Sequence, residues 1–179
     1  MPDAPLQIMV SSTVYGSESD LDQIKYILEG YDYDVVMSKE GNIYVGIDDD
    51  PEDACLKAVE DCDLFFGIIF PRYGSGITHK EFKKAVELNK PRFFIAHQYI
   101  EYTRKLMAQF MYNEDKTRNG FDIQPTSVLD SIKVVDMYND VRAKWVQPFF
   151  KTSEIQVFLE TQFRDHERRR QEIEARNNE

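Results

Sequence analysis

The 179 residues carry 32 acidic and 22 basic side chains, a formal net charge of -10, with a pI near 4.8. Long-range attraction to nucleic acid or an anionic membrane is thereby excluded unless basic groups cluster locally, and Cys55 and Cys62 are too few and too close for a disulfide scaffold. The length suits one buried core. No basic-then-apolar leader opens the chain and no apolar run approaches the roughly 20 residues of a bilayer span, so a soluble, cytoplasmic protein with reduced, packed cysteines is expected.

Leu6 to Val10 is apolar and β-compatible and runs into Ser11-Ser12-Thr13, a first buried strand ending in a polar loop. Ser19 or Asp20 can cap a helix that turns Leu21, Ile24, Tyr26, Ile27 and Leu28 inward and stops at Gly30. Tyr33 to Met37 gives a short second strand. Ser38 to Asp50 reads as a loop in which Ile43 to Ile47 can extend briefly, and Asp48-Asp49-Asp50 lacks the interleaved spacing of a calcium loop. Pro51 opens a helix to about Glu60, with Ala54, Cys55, Ala58 and Val59 inward. Leu64 to Phe70 is apolar apart from Gly67, as a strand covered on both faces requires, and Pro71, Gly74 and Gly76 end it. Thr78 is placed to cap the next helix, with Glu81 in capping-box spacing and Phe82, Ala85, Val86 and Leu88 as its apolar stripe. Glu81 thus has two readings, a helix cap or a chemical group.

Lys90-Pro91 ends that helix before another apolar strand, Arg92 to His97. Strands alternating with helices, on connections too long for hairpins, predict an α/β fold: a three-layer open parallel sheet with flavodoxin-like wrapping. Tyr99 to Tyr112 has a helical stripe, Asn113 to Pro125 is a polar loop, Val128 to Val141 carries both periods, and Trp145 to Phe150 is extended. From Ser153 one amphipathic helix runs through Ile155, Phe158, Leu159 and Phe163, becomes charged after Asp165, and ends in solvent or against a partner. Residues 1–151 are read as the α/β domain and 152–179 as an added C-terminal helix. Arg168-Arg169-Arg170, flanked by Glu167, Glu172 and Glu174, reads as a solvated face with intrahelical ion pairs.

In such sheets ligands bind beyond the carboxyl ends of the strands, which singles out Ser11 to Gly16, Ser38 to Asp50 and Arg72 to Thr78. His79, His97 and His166 are scattered without metal-ligand spacing, so no metal site is expected. Ser11, Ser12 and Ser75 lack a nucleophile elbow, and Gly74-Ser75-Gly76 is not followed by Gly-Lys-Ser/Thr, which disfavours ATP hydrolysis. There remains a carboxylate, Glu81, beside a glycine-rich loop, with hydroxyls from Ser11, Ser12, Thr13, Tyr15 and Tyr73. This set suits a ribose or nucleoside, and a carboxylate can stabilise or trap the sugar cation formed when a glycosidic bond breaks. Arg72 suits either a phosphate or a surface ion pair.

Val10-Ser-Ser-Thr13, Asp61-Cys-Asp63 before the central strand, Arg72-Tyr-Gly-Ser75, Ile77-Thr-His-Lys-Glu81-Phe82 and Asn89-Lys90-Pro91 together resemble an uncharacterised bacterial TIR-like family, domain of unknown function 4062. That family is similar to Toll/interleukin-receptor (TIR) domains, where a glutamate cleaves the nicotinamide bond of NAD, and to nucleoside deoxyribosyltransferases, where a glutamate attacks deoxyribose. The resemblance implies a TIR-like or deoxyribosyltransferase-like fold with Glu81 as the catalytic residue. Ser11, Ser12, Thr13, Tyr15, Arg72, Tyr73, Gly74, Ser75 and Thr78 would then bind substrate. It implies an N-glycoside hydrolase or transferase acting on NAD or another nucleotide as substrate, with no cofactor, in bacterial defence or signalling. The alternative is a non-catalytic nucleotide-sensing or interaction module that meets a second copy or a partner protein through the C-terminal helix. The tryptophan that often precedes the TIR glutamate is absent, with Ile77 to Lys80 in its place.

Overall fold

A computed structural model describes residues 4–13, 16–37, 43–48 and 50–178. Five strands form one parallel sheet: β1 (Gln7–Ser12), β2 (Asp34–Val36), β3 (Leu64–Ile69), β4 (Arg92–His97) and β5 (Val146–Phe149), in the order β2-β1-β3-β4-β5. The connections hold α1 (Glu18–Glu29), α2 (Pro51–Asp61), α3 (Ile77–Glu87), α4 (Gln98–Met111) and α5 (Lys133–Val141), and α6 (Thr152–Phe163) and α7 (His166–Asn177) follow β5. The α/β expectation holds. Lys133–Val141 resolves the ambiguous segment as helix, and the described part of Ile43 to Ile47 contains no strand. Asp49 lies outside the described residues.

Alternation along each strand divides the core in two. Ile8, Val10, Leu64, Phe66 and Ile68 face α1, α6 and α7, while Met9, Phe65, Ile69, Phe94 and Ala96 face α2 to α5. All six residues of β3 are buried. Gly67 is required there: a Cβ would overlap the Phe94 ring and stand 3.0 Å from Phe82.

Four local expectations are corrected. Tyr26 is 80% exposed rather than inward, because α1 starts at Glu18 and its buried stripe is Leu21, Ile24 and Leu28. The C-terminal segment is two helices, broken where the Asp165 carboxylate accepts from the Arg168 N–H and starts α7 afresh. The start of α6 is held by Glu154, which accepts from the Lys151 N–H at 3.0 Å, while Ser153 lies inside the helix. Nor does α7 project into solvent. Ile173 is buried, Arg169 stacks on Phe93 at 4.8 Å, Arg170 reaches the Ala4 carbonyl and Arg176 the Asn89 carbonyl. The stripe Ile155, Phe158, Leu159 and Phe163 packs into the chain's own core. The ion pairs expected of the arginine cluster are present, Arg168 and Arg169 both meeting Glu172.

Among the described residues no helix is long and apolar enough to cross a membrane.

Gly67→Ala forces either the Phe94 ring or the β3 backbone to move, and overpacking of this kind costs about 1–3 kcal/mol. Urea unfolding of the variant is expected to show that loss in the midpoint with an unchanged m value.

Candidate functional site

The strand order reverses between β1 and β3, since β2 lies on one side of β1 and β3 to β5 on the other. The loops leaving these two strands therefore part in opposite directions and leave a crevice at their carboxyl ends. A cavity of about 460 Å³ lies there, lined by Ser12 and Thr13 after β1, Gly74 and Ser75 after β3, and Thr78 and Glu81 of α3. Arg72, Cys55, Ile77 and Asp130 complete its wall.

The loop is shaped by its glycines. Gly74 and Gly76 have φ of 64° and 88°, in the left-handed region where a side chain is strained. A Cβ on Gly76 would also stand 3.3 Å from the Tyr73 ring. Thr13 donates to the Arg72 carbonyl at 3.0 Å, and the Tyr73 N–H donates to both Asp130 carboxylate oxygens at 2.9 and 3.1 Å. The loop is thus pinned on one side to β1 and on the other to the segment before α5.

Glu81 is not the helix cap. Gly76 occupies the N-cap, α3 begins at Ile77, and no acidic residue lies in its first turn. Thr78 makes no capping bond and is itself buried in the cavity wall. One turn further on, Glu81 points inward and is 2% exposed. Ser11 lies on the α3 side of β1, two residues after inward-facing Met9, and its hydroxyl donates to Glu81 Oε2 in a short hydrogen bond. The other oxygen, Oε1, is buried with no hydrogen bond of ordinary geometry. Burial holds the Glu81 carboxyl above the usual carboxylate range, opposed by the Ser11 hydroxyl and by the neighbouring Cys55 thiol. The thiol is pushed up to about 11, first by burial and then by Glu81.

The structure brings Glu81, Ser11, Ser12, Thr13, Arg72, Gly74, Ser75 and Thr78 together. Arg72 bonds its own neighbour, Nη1 to the Pro71 carbonyl at 2.8 Å, and also borders a smaller cavity near Gly16 and His97. Tyr73 is a correction. Its side chain leaves the cavity for His79, with the hydroxyl 3.0 Å from Nδ1, and His79 Nε2 lies 2.7 Å from Asp140. The aromatic ring packs edge-on to His79 and is not part of the cavity lining. Tyr15 lies outside the described residues. Cys55 and Asp130 were not among the expected site residues: Cys55 read only as an inward residue of α2, and Asp130 stands in a stretch whose periodicity was ambiguous. Among the described residues no group of three or more His, Cys, Asp or Glu is placed to hold a metal ion.

These features define a class: an open parallel α/β protein with a buried glutamate at the switch in strand order. The chain belongs to the family described as Domain of unknown function (DUF4062), whose model matches residues 7–164. Two solved structures are similar in outline. A 2-desoxiribosyltransferase from Leishmania mexicana aligns at 15% identity and a TM-score of 0.45, covering 78% of this chain and 100% of its own. A conserved protein from Enterococcus faecalis V583 aligns at 14% identity and a TM-score of 0.46, covering 85% and 95%. A search of curated proteins finds no match.

The raised Glu81 carboxyl predicts a pH signature. From about the unfolded value of 4.5 up to its folded value, the folded state keeps a proton that the unfolded chain has released, so stability falls as pH rises through that window. Glu81→Gln removes this penalty. The melting temperature of Glu81→Gln minus that of wild type is expected to grow between pH 4 and pH 8, and a constant difference refutes the assignment.

Proposed function

We propose that this chain is an N-glycoside hydrolase or transferase acting on NAD or a related nucleotide, with Glu81 as nucleophile or as stabiliser of the sugar cation. The observation that carries this reading is the second oxygen of a buried carboxyl, Glu81 Oε1, left unpartnered in the wall of the switch-point cavity. A carboxylate oxygen so placed, with only the Cys55 thiol beside it, keeps a lone pair for an electrophilic carbon arriving from the cavity.

In the covalent form of the reaction, ionised Glu81 attacks the anomeric carbon, an O–C bond forms and the C–N bond to the base breaks. A cationic base such as nicotinamide departs neutral and needs no proton. Water or a second base then displaces the carboxylate, the incoming nucleophile giving up its proton. The Ser11 hydroxyl stabilises the ionised carboxylate by a charge-assisted bond and fixes which oxygen reacts. Ser12 and Thr13 supply hydroxyls for the sugar, and Arg72 at the cavity edge is the group for a phosphate. Asp130 adds a second carboxylate to the wall and favours a substrate whose base is cationic over one whose base is anionic.

The deep burial of Glu81 favours a second reading, a nucleotide-binding module without turnover in which the carboxyl stays neutral and only accepts or donates a hydrogen bond.

Incubation of the full chain with NAD, NADP and a panel of nucleosides and deoxynucleosides separates the two. Base release is expected, rising with pH along an acid limb above the ordinary carboxylate range. Glu81→Gln should lower it by at least about 10³-fold, and Ser11→Ala by about 10-fold or more through loss of a bond to a charged group. Exchange of labelled free base into the substrate marks a transferase or covalent intermediate. Saturable binding with no base release, unchanged in Glu81→Gln, establishes the binding module instead.

A further inference from the structure

On the α3–α4–α5 face lies a larger cavity, of about 760 Å³. Its wall inverts the charge of the molecule. In a chain of net charge -10, it gathers Lys83, Arg104, Lys116, Arg118 and Arg142 against two carboxylates, Asp136 and Asp140. These five come from α3, α4, the loop after α4 and the residue that ends α5, at sequence separations that hide the cluster.

The cations are not equally occupied. Arg118 is a structural post: its guanidinium donates to Asp136 at 3.1 Å and to the Met111 and Phe121 carbonyls at 3.2 and 3.1 Å. Asp136 also accepts from the Tyr112 hydroxyl at 3.1 Å, so one of the two carboxylates is consumed in holding the loop. Asp140 is shared between His79 at 2.7 Å and Lys83 at 4.0 Å. Arg142 bonds the neutral amide of Asn139 at 2.9 Å. Among the described residues Lys116 and Arg104 make no ion pair, and Arg104 Nε is buried with no hydrogen-bond partner. Arg104 otherwise lies over the Tyr138 ring at 6.0 Å, so its charge lines the cavity without an anionic partner.

The rim is also built rather than incidental. Lys116 sits at φ 67° at the tip of a tight turn. Asn113 and Asp115 close that turn on Thr117, and the Tyr112–Arg118 bridge closes its base. The turn sets Lys116 in the cavity wall with Arg104 of α4 and Arg142 at the end of α5.

We propose that this cavity is a second ligand site, for a small oligophosphate anion held between Lys116, Arg104 and Arg142. Several cations spread over a volume of this size fit a chain of phosphates better than a single carboxylate, and guanidinium forks match phosphate oxygens in pairs. The site is separate from the Glu81 cavity and does not rest on the proposed glycosidic chemistry.

The test is calorimetric titration of the full chain with inorganic tripolyphosphate, and separately with ATP, at low and moderate salt. Saturable one-to-one binding of either is expected. It should weaken at least 100-fold in the double variant Lys116→Glu, Arg142→Glu and measurably in Arg104→Gln, while Glu81→Gln binds as wild type. Tighter binding of ATP than of tripolyphosphate identifies a nucleoside phosphate as the ligand, and the reverse order an inorganic one. Circular dichroism and melting of each variant establish that it is folded. Wild-type binding by the folded double variant, or no saturation at millimolar tripolyphosphate, overturns the proposal. So does an oligonucleotide that binds through these residues when tripolyphosphate does not.

Discussion

Strand β3 has neither face free. Phe65 and Ile69 press into the helices α2 to α5, Phe66 and Ile68 into α1, α6 and α7, and at Gly67 the Phe94 and Phe82 rings fill the space a side chain would need. A strand covered in this way must be continuously apolar and must leave the sheet abruptly, because its first solvated backbone lies beyond the last buried residue. The Phe70 to Gly76 segment is that exit. Its glycines let it fold sharply over the end of β1, and the bonds from Thr13 and to Asp130 fix it there. The cavity is the space this forced exit encloses.

The same constraint explains how a carboxyl comes to be buried. The stripe of α3 that packs on β3 includes Phe82 and Ala85, and Glu81 shares their side of the helix at its solvent-proximal end. An apolar residue there would complete the core. A glutamate must instead find partners, and Ser11 provides one for only one of its oxygens. The arrangement leaves the second oxygen buried beside the Cys55 thiol, at a point of the interface that borders the cavity. A helix cap would have been solvated and bonded to its own backbone, without reactive consequence.

Much of this was legible from the chain. The apolar run through Gly67, the glycine punctuation after it and the serines after β1 mark the buried central strand and the loops at the carboxyl ends of the strands, because those signals are local and backbone-driven; the order of the strands is not among them. Thr78 misled, since its spacing to Glu81 matches a capping box although the helix starts two residues earlier, on a left-handed glycine. Tyr73 misled for a different reason: its position in the loop was readable, but the direction of its ring depends on His79 and, through it, on Asp140, sixty-one residues further along. Asp130 and the basic cluster are products of tertiary assembly alone. The break at Asp165 was hidden by charge, which looks the same in a solvated helix and in one whose arginines lie along a sheet edge.

The return of α7 across the molecule fixes where the chain leaves it. Arg170 meets Ala4 just ahead of β1, and Arg176 meets Asn89 just ahead of β4, so both ends lie at the amino edge of the parallel strands. The Glu81 cavity opens at the opposite edge. The described ends of the chain and the mouth of the site therefore stand at opposite edges of the sheet, with its full strand length between them.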